Sequence, residues 1–357
     1  MAEKRRAPIV GRYLQAEVAL ANRNSGMPLE ALRYDITPAG LHYLLIHFDI
    51  PDLDAAGWTL RLEGLVARPA QIGLEELRRM RARTVRATLE CAGNGRGQVS
   101  PRYPSMPWLE EGVSTADWTG VPLSVVLDEV QVGKSAREIV FHGADRGFDG
   151  GTEHSFSRSL SVAEAMRGDV LLAYAMNGAP LLPQHGAPLR LVVPGWYGMA
   201  SVKWLERIEV IDTAFDGVQQ ARSYHFRQDA GEKGVPCTRM RVNSLMVPPG
   251  IPDFYGRRRT VAPGVQQIIG RAWSGAAAIA GVEFADDGAW RQAAVEPQPG
   301  PHAWQAWRLA WEARPGEHEL ACRATDAQGN CQPLQPPWDL SGFGNNAVQR
   351  IRVTVGR

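Results

Sequence analysis

Apolar and polar positions alternate in short segments throughout the last third of this 357-residue chain. In the final segment Ile351, Val353 and Val355 alternate with polar side chains, which is the pattern of a strand with one buried face. Similar segments lie at 266–275, 279–285, 290–295, 304–311 and 317–324. Strands at this spacing, separated by turns, predict an immunoglobulin-like β-sandwich domain, which we place at residues 236–357.

The first two thirds of the chain mix helical and extended patterns. Residues 121–130 predict a helix, because Pro122 lies in its first turn and apolar residues share one face. Two segments, 41–51 and 58–65, have strand patterns, and a short helix is predicted at 73–81. The Asn177-Gly178 pair predicts a tight hairpin turn.

The order of these elements favours an α+β domain. Helices and strands follow one another without a regular βαβ repeat, which indicates a mixed α/β arrangement. We predict this domain at residues 28–235, after an N-terminal extension at residues 1–27. The glycine- and charge-rich segment 143–151 is predicted as one of its loops.

Composition excludes several classes of function. A net charge of +1 gives no basis for nucleic acid binding, and no run of about 18 apolar residues predicts a membrane span. With 44% hydrophobic residues the chain can bury two large cores. Its four lysines are Lys4, Lys134, Lys203 and Lys233. Because lysine is so rare, Lys203 in a predicted strand at 201–205 is a candidate functional residue.

One cysteine lies in a turn suited to a ligand. An apolar run delivers Cys91 into a turn that holds Gly93, Gly95 and Arg96, where the backbone can approach a ligand closely. A thiolate prefers soft metals, and a neighbouring guanidinium lowers the pKa of a thiol and attracts anions. The alternative is an inert buried cysteine before a glycine turn.

A second segment concentrates cations around a turn. His185 and Arg190 lie on either side of Pro188, so a turn followed by a strand would bring both to one anion, to which Lys203 would add an ammonium group. The alternative is that Arg190 pairs with a carboxylate and that Lys203 extends along Trp204.

These segments resemble one known family. The Cys-Ala-Gly-Asn-Gly-Arg motif at 91–96 and the blocks at 185–195 and 198–205 are similar to those of the sulfite oxidase family of molybdenum enzymes, which includes eukaryotic nitrate reductase and bacterial sulfane dehydrogenase. The resemblance extends from about residue 28 to the C-terminus. It implies molybdenum held by a single molybdopterin, with Cys91 as the protein ligand of the metal, and oxygen-atom transfer as the reaction.

The resemblance also implies roles for individual residues. Arg96 and Tyr224 would act with Cys91 in catalysis, with the Tyr224 hydroxyl donating a hydrogen bond near the metal. The residues implied to contact the pterin are Tyr43, His47, Asp145, His185, Arg190, Ser201, Val202 and Lys203.

The sequence departs from the family pattern at two substrate-binding arginines. Leu45 and Ser341 occupy these positions, whereas Arg96 is retained. Each missing guanidinium removes a contact worth roughly 1.5–3 kcal/mol, unless Arg102 or Arg222 replaces it. The leading interpretation is oxidation of sulfite or a related sulfur compound. The alternatives are a sulfoxide or nitrate reductase on the same fold, and a pterin-binding or interaction protein without catalysis.

No Cys-x-x-Cys-His haem motif occurs in the sequence. We therefore expect no haem in this chain and a separate electron acceptor, such as a cytochrome. The resemblance implies that the sandwich domain forms a homodimer. The four cysteines include no metal-binding pair, although Cys322 and Cys331 could meet across a hairpin.

The N-terminus bears on the cellular compartment. Arg5 and Arg6 are adjacent, as in a twin-arginine export signal, but no apolar segment or cleavage site follows them. The chain as written is therefore expected in the cytoplasm, and in the periplasm if an export leader was removed.

Overall fold

The computed structural model describes residues 13–356, so the adjacent arginines Arg5 and Arg6 lie outside the described residues. The helices in this range are α1 (Gln15–Arg23), α2 (Leu74–Arg79), α3 (Leu123–Val130) and α4 (Val162–Ala165). Between residues 13 and 356, no helix has the length and apolar character needed to cross a membrane.

One mixed sheet, one antiparallel sheet and a two-stranded sheet lie in the first part of the chain. The strands are β1 (Thr59–Gly64), β2 (Ala70–Gly73), β3 (Arg83–Glu90), β4 (Val113–Pro122), β5 (Glu138–Asp149), β6 (Thr152–Ser161), β7 (Leu171–Met176), β8 (Ala179–Pro180), β9 (Arg190–Val192), β10 (Leu205–Ile211), β11 (His225–Phe226) and β12 (Val235–Pro236). One sheet has the order β2-β1-β10-β5-β6, with β1 parallel to β10. The antiparallel sheet has the order β3-β4-β7-β8, with β9 also paired to β7, and β11 and β12 form the two-stranded sheet. The buried face of α3 joins the same hydrophobic core as these sheets.

The second part of the chain consists of strands. They are β13 (Asn243–Met246), β14 (Ile251–Pro252), β15 (Arg259–Val261), β16 (Gly264–Trp273), β17 (Ile279–Asp286), β18 (Ala289–Val295), β19 (Gln305–Ala313), β20 (Gly316–Asp326) and β21 (Gln349–Val355). They pair in the order β13-β16-β19-β18-β17-β20-β21-β15-β14 around a core that includes Phe284, Trp307 and Trp311. The prediction of an α+β part followed by a β-sandwich is confirmed.

The segment predicted as a strand at 41–51 is irregular. It follows a short 3₁₀ turn at Ala39–Leu41, and no named strand covers it. The backbone N–H of Ile46 donates to the side chain of Asn24 at 2.6 Å. The side chain of Asn24, and not the backbone of a neighbouring strand, therefore accepts the hydrogen bond from Ile46. The strand prediction is wrong.

Two other segments also differ from the prediction. The supposed loop at 143–151 is mostly strand, because β5 continues through it after a register shift between His142 and Arg146. The supposed strand at 201–205 is mostly irregular: Trp204 has a φ angle of 48°, which an extended strand does not allow, and β10 begins only at Leu205.

Cys322 and Cys331 do not form a disulfide bond. Both thiols are free, with Cys322 buried and Cys331 exposed. The Cys322 thiol instead donates to the carbonyl of Ser244 at 3.4 Å. The possible pairing across a hairpin is therefore wrong.

A buried carboxylate at the end of β3 joins the two parts of the chain. Glu90 is 3% exposed and accepts hydrogen bonds from Trp273 Nε1 at 3.0 Å and Asn243 Nδ2 at 3.1 Å, both in the second part. It also accepts a hydrogen bond from Asn94 Nδ2 at 3.1 Å. The residue before Cys91 is thereby fixed from both sides.

Replacing Glu90 by glutamine is expected to lower the free energy of unfolding by about 2–3 kcal/mol. Whichever way the new amide is turned, its N–H groups face Trp273 or Asn243, and at least one buried donor loses its acceptor. Chemical denaturation measures the loss, with Glu76→Gln at an exposed position as the control. A loss no larger than that of the control would contradict the anchoring role of Glu90.

Candidate active site

One pocket in the first part of the chain gathers most of the predicted site residues. Nine of the eleven line it: Tyr43, His47, Cys91, Asp145, His185, Arg190, Ser201, Lys203 and Tyr224. Arg96 and Val202 are buried nearby but are not among the lining residues. Segments that are distant in sequence therefore meet where the motifs predicted a ligand site.

Cys91 lies directly after β3, in a turn that is held by backbone hydrogen bonds. Its N–H donates to the Gly112 carbonyl at 2.8 Å, and its carbonyl accepts from the Asn94 N–H at 2.9 Å. A Cβ atom at Gly93 would lie 2.6 Å from the Arg96 guanidinium, so a larger residue there would displace that guanidinium. Burial raises the pKa of the Cys91 thiol, and Arg96 lowers it as expected but offsets only part of the rise. Loss of the thiol proton would therefore accompany metal binding.

Arg96 lies behind the pocket wall and does not line the pocket itself. Its Nε donates to the Ser341 carbonyl at 2.7 Å and its Nη1 to the Met106 carbonyl at 3.3 Å. Its Cζ lies 5.1 Å from the ring centroid of Phe343, which stacks on Tyr224 with 5.1 Å between centroids. Ser341 and Phe343, both from the second part of the chain, thus connect Arg96 with the pocket wall.

Arg190 is a buried cation held by carbonyl groups. It donates to the carbonyls of His185 and Ser201 at 3.0 and 3.1 Å, and its Cζ lies 4.7 Å from the Trp118 ring centroid. Within residues 13–356 it forms no hydrogen bond to a carboxylate, so the alternative of a structural ion pair is wrong. Burial lowers the pKa of Arg190 to about 10.

Lys203 places a second cation in the same pocket. Its Nζ donates to the carbonyls of Leu45 and Gln184 at 2.9 and 3.2 Å. It also lies 4.2 Å from the Trp204 ring centroid, as the alternative interpretation expected. Burial, together with Arg190, lowers the pKa of Lys203 to about 7, and burial raises the pKa of Asp145, which also lines the pocket, to about 7.

Three histidines surround these cations in their neutral form. Burial and neighbouring positive charges lower the pKa of His42 and His47 to about 3 and that of His185 to about 4. His47 Nε2 lies 2.6 Å from the Tyr224 hydroxyl. Burial raises the pKa of Tyr224, so its phenol stays protonated and can donate a hydrogen bond.

These groups fit a molybdenum–molybdopterin cofactor. A buried cation without a counter-charge is costly, and the anionic tail of a pterin would supply the missing charge to Arg190 and Lys203. His42 Nδ1 donates to the Tyr43 carbonyl at 2.9 Å, which leaves His42 Nε2 as a buried acceptor without a donor. A ring N–H of the pterin could satisfy it, while the Cys91 thiolate would suit the metal.

The sequence did not point to Asn24, His42 or Arg158, which also shape the site. Asn24 holds the N–H of Ile46, and Ser25 exchanges two backbone hydrogen bonds with Leu44 at 2.7 and 3.1 Å. The described residues of the supposed N-terminal extension thus support the pocket wall. No periodicity or motif marks Asn24 or Arg158. His42 is adjacent in sequence to Tyr43, a predicted site residue, and this proximity was the one available signal.

Comparisons with known proteins agree with this pocket. Residues 47–219 match the family described as oxidoreductase molybdopterin binding domain, and residues 236–356 match the Mo-co oxidoreductase dimerisation domain. NADH nitrate reductases of Hordeum vulgare and Phaseolus vulgaris are 33% and 31% identical, over 94% and 93% of this chain. The chain spans only 40% and 41% of their length. A crystal structure of the sulfane dehydrogenase SoxCD from Paracoccus pantotrophus matches with a TM-score of 0.80 and 28% identity, over 99% of this chain and 93% of that chain.

The fold and the pocket together define a molybdopterin-type oxidoreductase, in which a cofactor-binding domain precedes a dimerisation domain. Within that class, the chain belongs to the sulfite oxidase family. The resemblance inferred from the cysteine motif and the cation block is confirmed.

Proposed function

We propose that this chain catalyses oxygen-atom transfer on a sulfur compound, with molybdenum bound by one molybdopterin. The observation that carries the proposal is the convergence of Cys91, Arg190 and Lys203 on a single pocket. The bound metal would supply two-electron oxidation and reduction. Cys91 would hold it as a thiolate, and the two cations would hold the anionic tail of the pterin.

The other side chains of the pocket would orient the cofactor and the substrate. The proposed pterin contacts are Tyr43, His47, Asp145, His185 and Ser201 in the pocket wall, together with Val202, which lies behind the wall between Ser201 and Lys203. Tyr224 would donate its hydroxyl hydrogen to a negatively charged oxygen of the substrate or product. Arg96 would support Tyr224 through the ring of Phe343.

The charge of the pocket favours a substrate less charged than sulfite dianion. Leu45 lines the pocket as an apolar side chain, and Ser341 contributes a carbonyl that already binds Arg96. Two absent guanidinium contacts weaken dianion binding by about tenfold or more each. The sulfane dehydrogenase SoxCD acts, by its name, on sulfane sulfur, and this supports a sulfur compound other than sulfite for this chain.

Nitrate reduction is the second candidate. Similarity to nitrate reductases extends over more than 90% of the chain, and nitrate carries a single negative charge. The activity of a nitrate reductase, by its printed name, also uses NADH. A protein that binds pterin without catalysis is the third candidate, and the alignment of Cys91 and Tyr224 in one pocket argues against it.

Metal analysis followed by turnover assays tests the proposal. We expect about one molybdenum per chain and oxidation of a sulfur compound with ferricyanide as the electron acceptor, with a higher KM for the dianions sulfite and thiosulfate than for a less charged sulfur compound. Molybdenum with nitrate or sulfoxide reduction, but without oxidation of a sulfur compound, would favour the second candidate. Stoichiometric molybdenum that no reductant can cycle would favour the third, and absence of molybdenum from freshly purified protein would overturn the cofactor assignment.

Restoring the two arginines is expected to strengthen sulfite binding. In the variant that combines Leu45→Arg with Ser341→Arg, the KM for sulfite should fall about tenfold or more, because charge-assisted contacts to the dianion are regained. Steady-state kinetics measure this change, with Leu334→Arg at an exposed position as the control. An unchanged KM would show that positions 45 and 341 do not face the substrate.

The partners follow from the domains. The dimerisation domain indicates a homodimer, and we propose a separate electron acceptor, such as a cytochrome. We also propose the division into residues 1–27, 28–235 and 236–357, as an extension, a catalytic domain and a dimerisation domain.

A further inference from the structure

Arg158 is a buried cation that the proposed chemistry has not used. It belongs to β6 and is 2% exposed. Its Nη1 donates to the Gln219 carbonyl, while its Nε is buried without a hydrogen-bond partner. In the described part of the chain it forms no hydrogen bond or ion pair with a carboxylate, and its Cζ atom lies against the ring of Tyr224, which is neutral. Burial of such an unpaired charge is costly and calls for an explanation.

Arg158 contacts both ends of the segment that carries Tyr224. The Gln219 carbonyl lies in a π-helical turn at Val218–Ser223, immediately before Tyr224. The Cζ atom of Arg158 lies 5.6 Å from the ring centroid of Tyr224. Phe156, two residues earlier on the same face of β6, lines the pocket. One guanidinium therefore fixes the turn and also lies against the phenol ring.

The position of this charge affects the hydroxyl of Tyr224. Burial and Cys91 raise the pKa of Tyr224, whereas Arg158 and Arg96 act in the opposite direction. A nearby cation polarises a phenol O–H, which makes it a stronger hydrogen-bond donor to an anionic oxygen. The Tyr224 hydroxyl oxygen lies 2.6 Å from His47 Nε2. In the neutral tautomer with its proton on Nε2, His47 donates to the phenol oxygen and leaves the phenol hydrogen free for a substrate.

We propose that Arg158 is a positioning residue that acts through Tyr224, holding the 219–224 segment and strengthening the phenol as a donor to a negatively charged oxygen of substrate or product. This inference rests on the proposed function. The pocket lacks arginine at positions 45 and 341. The inference assigns the buried guanidinium of Arg158 a role that does not require contact with the substrate.

A double-mutant cycle tests the coupling on cofactor-loaded protein. Sulfate binding is measured by calorimetry for the unaltered chain, Arg158→Met, Tyr224→Phe and the double variant. Each single change should weaken sulfate binding about tenfold, and the double variant should be little weaker than either single variant, because both remove the same hydrogen bond. Additive losses of about a hundredfold, or an unchanged affinity in Arg158→Met, would overturn the proposal. Absence of sulfate binding in the unaltered chain would also overturn it.

Two further variants separate positioning from general stability. Arg158→Lys keeps the charge and should recover sulfate affinity to within about threefold of the unaltered chain; failure to recover it would argue against the charge. Arg271→Met removes another buried guanidinium, which donates to the Leu32 and Arg33 carbonyls away from the pocket, and should leave sulfate affinity unchanged. An equal loss in Arg271→Met would show that the effect is one of stability and would overturn the proposal.

The same preparations distinguish this inference from the proposed function. Molybdenum content and turnover are measured separately from sulfate binding. If the protein contains molybdenum and gives the expected double-mutant cycle for sulfate binding, but oxidises no sulfur compound, the proposed substrate is refuted and the positioning role of Arg158 is supported. Normal sulfite or thiosulfate turnover in Arg158→Met, with an unchanged pH profile of kcat, would refute the positioning role of Arg158 and leave the proposed function intact.

Discussion

Replacing Cys91 by serine is expected to abolish turnover, with a loss of about a thousandfold or more, while the fold and the bound pterin remain. A serine hydroxyl is a harder ligand than a thiolate and keeps its proton at neutral pH, so it does not replace the sulfur donor. The groups proposed to hold the pterin, Arg190 and Lys203, are unchanged in this variant. Turnover, molybdenum content and pterin content of the purified variant measure the three parts of this prediction.

Cys237→Ser provides the matched control. Cys237 is fully buried, and burial raises the pKa of its thiol to about 12. Its backbone N–H donates to the Tyr224 carbonyl at 2.9 Å. It is therefore a second buried cysteine close to the site, and it is not proposed as a metal ligand. This variant should be less stable but should retain its turnover. Undiminished turnover in Cys91→Ser would rule out Cys91 as the metal ligand.

Local patterns in the sequence were sufficient to predict many elements. The helix predicted at 121–130 is α3 (Leu123–Val130), with its apolar face buried as its periodicity requires. The Asn177-Gly178 pair turns β7 into β8 with φ angles of 53° and 78°, as such pairs favour. The alternation at Ile351, Val353 and Val355 corresponds to β21. In each case the signal lies within a few neighbouring residues.

Contacts between distant segments left no such signal. The Ser341 carbonyl binds Arg96 across 245 positions, and Lys203 binds the Leu45 carbonyl across 158. Both bonds use a backbone acceptor, which every residue possesses, so residue type does not reveal them. Asn24 illustrates the same limit: an asparagine side chain took the place of a neighbouring strand at Ile46, and the strand prediction failed there.

The motifs predicted which side chains meet, but not their protonation. Arg96 lies near Cys91 as expected, yet burial dominates and raises the pKa of the thiol. Burial also lowers the pKa of Lys203, and the sequence did not indicate this shift. Electrostatic consequences of burial depend on the complete packing around a group, and they become testable only with the structure.

The metal-free chain is expected to bind sulfate in the pocket, with an affinity that falls as the pH rises above about 7. Lys203 without a bound anion has a pKa of about 7, and a bound dianion raises that pKa because it favours the charged ammonium. Below pH 7 the ammonium is already charged, so binding takes up no proton. Above it, binding requires proton uptake, and the affinity should fall up to about tenfold per pH unit. Sulfate keeps the same charge over this range, so the change reports the protein.

Two substitutions separate the contributions of the cations. Lys203→Met should weaken sulfate binding and reduce its pH dependence above pH 7 to the part contributed by Asp145, whose pKa also lies at about 7. Arg190→Met should weaken binding by about 10- to 100-fold through the loss of a charge-assisted contact. It should also move the pH midpoint upward, since Arg190 contributes to the low pKa of Lys203. Calorimetry in buffers of different ionisation enthalpy measures affinity and proton uptake together. Sulfate binding that is independent of pH in the unaltered chain would show that Lys203 does not meet the anion.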